Sequence, residues 1–188
     1  MKLSKTAILP TRFGNLNIIA LKSEDKEHLL VFKGELKNQE NLNFRIHSEC
    51  LTSEVMGSLK CDCREQLDEA LSYIGEHGGA VLYLKQEGRG IGLFNNVNAY
   101  SLQDQGLDTI DANLQLGLPV DQRDYSVAAE ILNHFNVKSV RLLTNNPLKI
   151  AGLEELGITV SERIPIKIEP NPHNSGYIKT KELQMNHM

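Results

Sequence analysis

Tryptophan is absent from this 188-residue chain, and aromatic residues make up only 5% of it. A core must therefore be built from aliphatic side chains, and the 40% hydrophobic content is the proportion usual for a globular protein. A basic surplus is lacking as well: 20 Lys and Arg stand against 24 Asp and Glu, a net charge of −4. General nucleic-acid binders carry the opposite balance, so no nucleic-acid partner is expected. A small anion needs only one local cluster of cations and stays open. No stretch approaches the roughly 20 apolar residues of a membrane span. The opening MKLSKTAILPTRFG has no apolar run of signal-peptide length. The expectation is a cytoplasmic protein with no membrane partner, in a compartment that keeps thiols reduced. Cysteine is scarce too, with three residues, all within fourteen positions. An odd number so closely spaced makes a poor disulfide framework and a better metal site or reactive thiol.

The length suggests one domain with at most a small appendage, expected as a folded unit over 1–168 and a polar tail over 169–188. The tail has little to offer a core and is expected to be ordered only by a partner or ligand. There is no internal repeat. LNIIALK (Leu16 to Lys22), HLLVFKG (His28 to Gly34) and NFRIH (Asn43 to His47) read as strands, with a polar loop over 37–43. Leu67, Ala70, Leu71 and Ile74 repeat at helical spacing, and Gly78-Gly79 closes that helix. AVLYL (Ala80 to Leu84) is a buried strand. Helical pattern returns over 91–105 and 110–116, then from Ser126, read as a cap, through Val127, Ile131, Leu132 and Phe135. VRLL (Val140 to Leu143) is a strand. Asn146 caps a helix with Pro147 at its first position and Gly157 at its end, and ITVSERIPI supplies a last strand or two. This alternation predicts an α/β fold: a mixed β-sheet flanked by helices in layers, more antiparallel in its N-terminal part.

HSECLTSEVMGSLKCDCREQL spaces its cysteines as Cys-x10-Cys-x-Cys, at Cys50, Cys61 and Cys63. Soft thiolates suit zinc, and three protein ligands leave a fourth tetrahedral position for water. Zinc lowers the pKa of such a water toward 7. A single cysteine is more often a small buried hydrophobe, but three together, two of them separated by one Asp, weigh against that. A closed structural site would need a fourth ligand, for which His47 is the candidate, yet the paired Cys-x2-Cys units of fingers and ribbons are missing. On spacing alone, catalytic zinc stands only modestly ahead of structural zinc.

QEGRGIGLFNN (Gln86 to Asn96) joins a strand to a helix. Its glycines permit a tight turn whose amides can meet phosphate oxygens, and Arg89 adds a fork of donors. The spacing matches neither the dinucleotide fingerprint nor the P-loop, and a plain strand-to-helix turn explains it equally well. Glu87 could accept from two adjacent N–H groups, such as those of guanine's Watson–Crick edge. In TNNPLK, Thr144 and Lys149 can reach an anion, although a capped helix with a surface lysine is the simpler local reading. Around Arg123, DQRD (Asp121 to Asp124) reads locally as a solvated charged turn. His134, His173 and His187 have no partners at ligand spacing and read as surface residues.

Taken together, RIHSECLT, SLKCDC, QEGRGIGL, AYSLQDQGLDT, ANLQLG, LLTNNPLK and YIKTK, in this order from Arg45 to Lys181, resemble GTP cyclohydrolase II, the enzyme that opens riboflavin biosynthesis, in its single-domain form. The resemblance implies hydrolysis of GTP at the imidazole ring with loss of C8 as formate, and release of pyrophosphate. The implied product is 2,5-diamino-6-ribosylamino-4(3H)-pyrimidinone 5′-phosphate. It implies one Zn2+ per chain on Cys50, Cys61 and Cys63, activating the water that attacks C8, and Mg2+ on the triphosphate. Tyr100 matches a tyrosine needed for ring opening. Arg45, Ile46, His47, Ser48, Glu49, Gln66, Glu87, Gly88, Arg89, Thr109, Thr144 and Lys149 match positions that hold GTP. Asp121 and Arg123 match a proposed base and nucleophile for pyrophosphate release. A protonated guanidinium is better suited to stabilising phosphoryl charge than to attacking it. A homodimer is also implied. The chain departs from the usual pattern at Ser53-Glu54 (Gly-Asp), Arg64 (Gly), Asn96 (Lys) and Leu114 (His), and it ends in MNHM.

Two alternatives stand beside this reading. One is a paralogue that hydrolyses GTP but stops early, against which the Tyr100, Asp121 and Arg123 matches count. The other is a zinc-stabilised nucleotide- or RNA-binding module, against which the acidic charge and the missing finger spacing count.

Overall fold

Residues 1–119 and 122–174 are described by a computed structural model of the chain. Alternating apolar residues build an antiparallel platform first. Strand β3 (Gly14–Ser23) turns Leu16, Ile19 and Leu21 inward and pairs with β4 (Lys26–Lys33), which pairs in turn with β6 (Gly79–Leu84). Two further strands, β1 (Lys2–Leu3) and β2 (Ala7–Thr11), lie against β3. The sequence pattern missed both. β2 shows no apolar alternation because most of it is exposed, and Pro10 is tolerated because the strand lies at an edge.

The sheet changes character at β6. Strand β5 (Leu42–Ser48) runs parallel to β6, β7 (Val140–Leu143) parallel to β5, and β8 (Val160–Ile164) parallel to β7. The order is β1-β3-β4-β6-β5-β7-β8, with β2 on β3, so the expected mixed sheet with an antiparallel N-terminal part is present. Parallel neighbours require crossovers. Helices α1 (Leu51–Glu54) and α2 (Cys63–His77) join β5 to β6. A 3-10 turn (Glu87–Gly90), α3 (Leu93–Gln103), α4 (Thr109–Gln115) and α5 (Ser126–His134) lead to β7, and α6 (Pro147–Glu155) leads on to β8.

Both sheet faces are covered. Ala128, Ile131 and Leu132 of α5 and Leu153 of α6 join Phe44, Ile46, Leu82 and Leu142 in the larger core. On the other face, Ala70 and Ile74 of α2 pack with Val81, Leu143 and Ile166. This explains why β6 reads as an unbroken apolar run.

Several local expectations shift. Helix α2 begins four residues before Leu67, so Cys63 is its first residue rather than lying ahead of it. Helix α1 is too short to show a period. Ser126 does not cap α5. It is the first helical residue, and the Asp124 carboxylate accepts its N–H at 2.8 Å and its hydroxyl at 2.6 Å, being the stronger acceptor. The Asn146 cap is present, with Oδ1 accepting from Leu148 N at 3.0 Å. ITVSERIPI forms one strand. Of the tail, residues 169–174 are described and bury Asn174. Residues 175–188, including YIKTK and His187, lie outside the described residues.

Helix α2 is pressed close to the β2–β3 turn: a Cβ built on Gly75 would meet the Phe13 carbonyl oxygen at 2.4 Å. In an open helix, Gly→Ala stabilises by up to about 1 kcal/mol. Here Gly75→Ala is expected to destabilise by about 1–3 kcal/mol through overpacking. Urea unfolding of the variant checks the sign.

Candidate active site

Ligands of open α/β sheets gather past the carboxyl ends of parallel strands. The ends of β5, β6 and β7 meet at one edge, since Ser48 pairs with Leu84 and Phe44 with Leu142. The segments leaving that edge are Glu49–Cys50, Gln86–Arg89 and Thr144–Lys149. They open a cleft lined by Arg45, His47, Ser48, Glu49, Cys50, Cys61, Cys63, Gln66, Glu87, Gly88, Arg89, Tyr100, Thr109, Arg123, Thr144 and Lys149. Ile46 does not line it. Its side chain is fully buried in the core, and only its carbonyl contributes, accepting from Lys149 Nζ at 2.8 Å. Alternation along β5 sends Arg45 and His47 one way and Ile46 the other. Asp121 lies outside the described residues.

The cleft also takes in residues that the sequence reading does not assign to the site; there Asn96 is only a departure from the family pattern and Asn146 only a helix cap. Asn96, Ala99 and Gln103 share the helical face of Tyr100, as spacings of three and four dictate. Lys60 adjoins Cys61, and Asn145 and Asn146 lie inside TNNPLK.

The three cysteine sulfurs lie within 4.8 Å of one another, with Cys50 Sγ and Cys61 Sγ 3.7 Å apart. Thiolates about 2.3 Å from a tetrahedral ion stand roughly 3.8 Å apart, so the donor set fits zinc. Donation from the Cys50 and Cys63 thiols holds Cys61 well below the ordinary thiol range, and the Cys50 thiol is pushed up in return. His47 does not close the site. Among the described residues the group contains the three cysteines alone, and His47 Nε2 lies 2.7 Å from Glu54 Oε1.

Two carboxylates organise the surroundings. Glu54 accepts from His47 Nε2, from Cys50 N at 3.1 Å and from the Tyr83 hydroxyl. Burial, with Glu54 alongside, raises the Tyr83 pKa. Glu87 accepts from Leu51 N at 2.6 Å, Gly88 N at 3.0 Å and Asn96 Nδ2 at 3.1 Å. Burial raises its pKa, and the backbone donors oppose that shift. Three departures from the family pattern are mutual neighbours: Arg64 N donates to Ser53 Oγ at 3.1 Å, and Arg64 Nη1 to the Glu54 carbonyl at 3.5 Å.

The Tyr100 hydroxyl lies 3.2 Å from Thr52 Oγ1, which lies 3.8 Å from Cys50 Sγ. Burial first, then the nearby sulfurs, raise the Tyr100 pKa. Arg45 donates to the Leu143 carbonyl at 3.0 Å and to Gln66 Oε1 at 2.7 Å. Burial lowers its pKa to about 10, and Arg123 pushes in the same direction. With Lys60, Arg89, Arg123 and Lys149, it makes five cations against two lining carboxylates, Glu49 and Glu87. Arg45 Nε, Arg89 Nη1 and Asn146 Nδ2 are buried donors without a partner among the described residues. The cleft can hold a polyanion beside a thiolate-bound metal.

Buried His47 has its pKa lowered to about 4, chiefly by desolvation. Between about pH 6.5 and 4 the unfolded chain therefore takes up a proton that the folded chain refuses. Stability is full above that window and falls as pH drops through it, by up to about 3 kcal/mol. Urea midpoints from pH 7 to 4 measure the fall, and His47→Asn is expected to flatten it. An unchanged slope in the variant would assign the effect to other groups.

The GTP cyclohydrolase II family profile matches residues 2–165. A GTP cyclohydrolase-2 from Campylobacter hominis is 52% identical over 188 residues, covering 100% of this chain and 95% of its own. One from Picrophilus torridus is 50% identical, covering 97% and 96%. The riboflavin biosynthesis protein RibBA of Parabacteroides distasonis is 48% identical over 96% of this chain and 45% of its own.

Proposed function

The chain belongs to the GTP cyclohydrolase II family, and on that premise we propose that it hydrolyses GTP, releasing formate and pyrophosphate in the first step of riboflavin biosynthesis. The observation that carries this reading is a thiol triplet, with no fourth ligand among the described residues, at the wall of a cleft rich in cations and unmet donors. Residues 1–168 are the catalytic unit and 169–188 a tail. The enzyme is cytoplasmic and homodimeric.

Cys50, Cys61 and Cys63 would hold one zinc ion, which would supply Lewis acidity for hydrolysis at C8. Tyr100 moves a proton during ring opening, through a hydroxyl already tied to Thr52. The phenol is protonated at neutral pH and burial raises its pKa further, so it acts first as a donor. Arg45, His47, Ser48, Glu49, Gln66, Gly88, Arg89, Thr109, Thr144 and Lys149 bind the nucleotide, Ile46 through its backbone. Glu87 shapes the base site while fastening Leu51 and Gly88. Mg2+ would accompany the triphosphate, as suits a hard cation.

Arg123 stabilises charge at the α-phosphate, and Asp121 serves as the base. Two guanidiniums close enough for Arg123 to depress the Arg45 pKa are relieved by an anion between them. A covalent guanylyl-arginine is the second reading, and trapping a nucleotide on Arg123 would establish it.

Incubation with GTP, Zn2+ and Mg2+, followed by mass analysis, is expected to give formate, pyrophosphate and the diaminopyrimidinone phosphate. Intact GTP would overturn the reading, and bound zinc without formate would favour a binding module. Cys61→Ser is expected to lose both stoichiometric zinc and formate release. Arg123→Ala is expected to slow pyrophosphate release roughly 10²- to 10³-fold.

A further inference from the structure

Asn146 does two things with one side chain. Its Oδ1 accepts the Leu148 N–H at 3.0 Å, capping α6. That bond settles which end of the amide is oxygen, so the end left over, Nδ2, can only donate. The residue is 3% exposed, lines the cleft, and Nδ2 is buried with no partner among the described residues. A buried donor left unmet costs stability, and removing such a group while keeping the cap would be simple in sequence terms, since Asp or Ser caps as well.

The chemistry around it selects the acceptor. Helix α6 directs the positive end of its dipole at this edge of the cleft, yet its first backbone donors are committed. Pro147 has no N–H, Leu148 N goes to the Asn146 side chain, and Lys149 N goes to the Asn146 carbonyl at 3.1 Å. The side-chain amide thus relays the helix terminus to the cleft. Beside it stand Thr144, whose Oγ1 accepts from Asn146 N at 3.0 Å, and the buried ammonium of Lys149. Positive potential with a fixed donor suits an anionic oxygen better than a neutral carbonyl.

We propose that Asn146 is a substrate-binding residue whose Nδ2 donates to a phosphate oxygen of the nucleotide, a role that rests on the GTP reading. It positions the triphosphate from the α6 side of the cleft and takes no part in the metal site.

The test compares wild type with Asn146→Asp, which keeps the cap but replaces the donor by a negative charge, and Asn146→Ser, which keeps a neutral cap without the reach. Calorimetric binding of inorganic tripolyphosphate and of guanosine needs no turnover. Both variants are expected to retain zinc and the thermal midpoint. Tripolyphosphate should weaken roughly tenfold in the Ser variant and up to about a hundredfold in the Asp variant, with guanosine unchanged. The KM for GTP should rise in parallel. Unaltered tripolyphosphate binding in both variants would make Asn146 a cap alone and overturn the proposal. An equal loss for guanosine would turn the donor toward the base and overturn it as well. Should wild type release no formate while the variants still lose tripolyphosphate, the anion site stands and the cyclohydrolase reading falls.

Discussion

A carboxylate can be buried only where donors meet it, and Glu87 is met by three that come from separate parts of the chain. Leu51 N opens the short helix directly after Cys50. Gly88 N belongs to the glycine turn, and Asn96 lies one helical turn before Tyr100. One side chain thereby joins the cysteine-bearing turn, the phosphate-suited turn and the tyrosine helix. Gly88 and Arg89 both adopt positive φ, near +62° and +61°. Left-handed backbone is costly for arginine, and it is held here by the Gln122 N–H donating to the Arg89 carbonyl at 3.0 Å. The same bond draws the segment carrying Arg123 to the cleft.

The sheet supplies the frame on which this clamp works. Its antiparallel half makes a platform from residues close in sequence, and its parallel half gathers three strand ends at one edge. The seam at β6 is the strand that must satisfy both, and it is buried nearly throughout. Helices on both faces leave the strand ends as the place where polar groups can converge without being smothered. Cysteines that could hold a metal sit at or beside the ends of such rigid elements, which fixes their mutual geometry.

Electrostatics turns that edge into a site. A chain with net charge −4 places five cations around one cleft, so its field there runs against its overall charge. Arg45, two of whose five N–H donors go to Leu143 and Gln66, keeps Nε unmet among the described residues, and Arg89 and Asn146 each hold back one donor. Such unmet donors are kept at a cost in stability, and an anion that fills the cleft recovers it. Around the metal turn the departures at Ser53, Glu54 and Arg64 form contacts with one another rather than leaving gaps.

Much of this could be read along the chain. The period of α2, the apolar run of β6 and the Asn-Pro start of α6 are local signals, because burial of one face and satisfaction of a helix end depend on residues a few positions apart. The closeness of Cys61 and Cys63, and so a metal site near them, was equally legible. What sequence pattern could not decide was partnership across distance. Edge strand β2 has no apolar period to see, and Asp124 outcompetes Ser126 only once the turn brings it into reach. Glu87 meets Leu51 across 36 positions, and Lys149 meets the Ile46 carbonyl across 103. By itself the sequence determined which chemistry the chain carries: three thiols, a set of cations, one tyrosine. Only the tertiary structure decided that Ile46 turns away, that His47 serves Glu54 rather than the metal, and that Asn146 keeps a free donor. Those outcomes depend on which strands and helix ends the parallel register brings to one edge, a matter between segments that no local pattern connects.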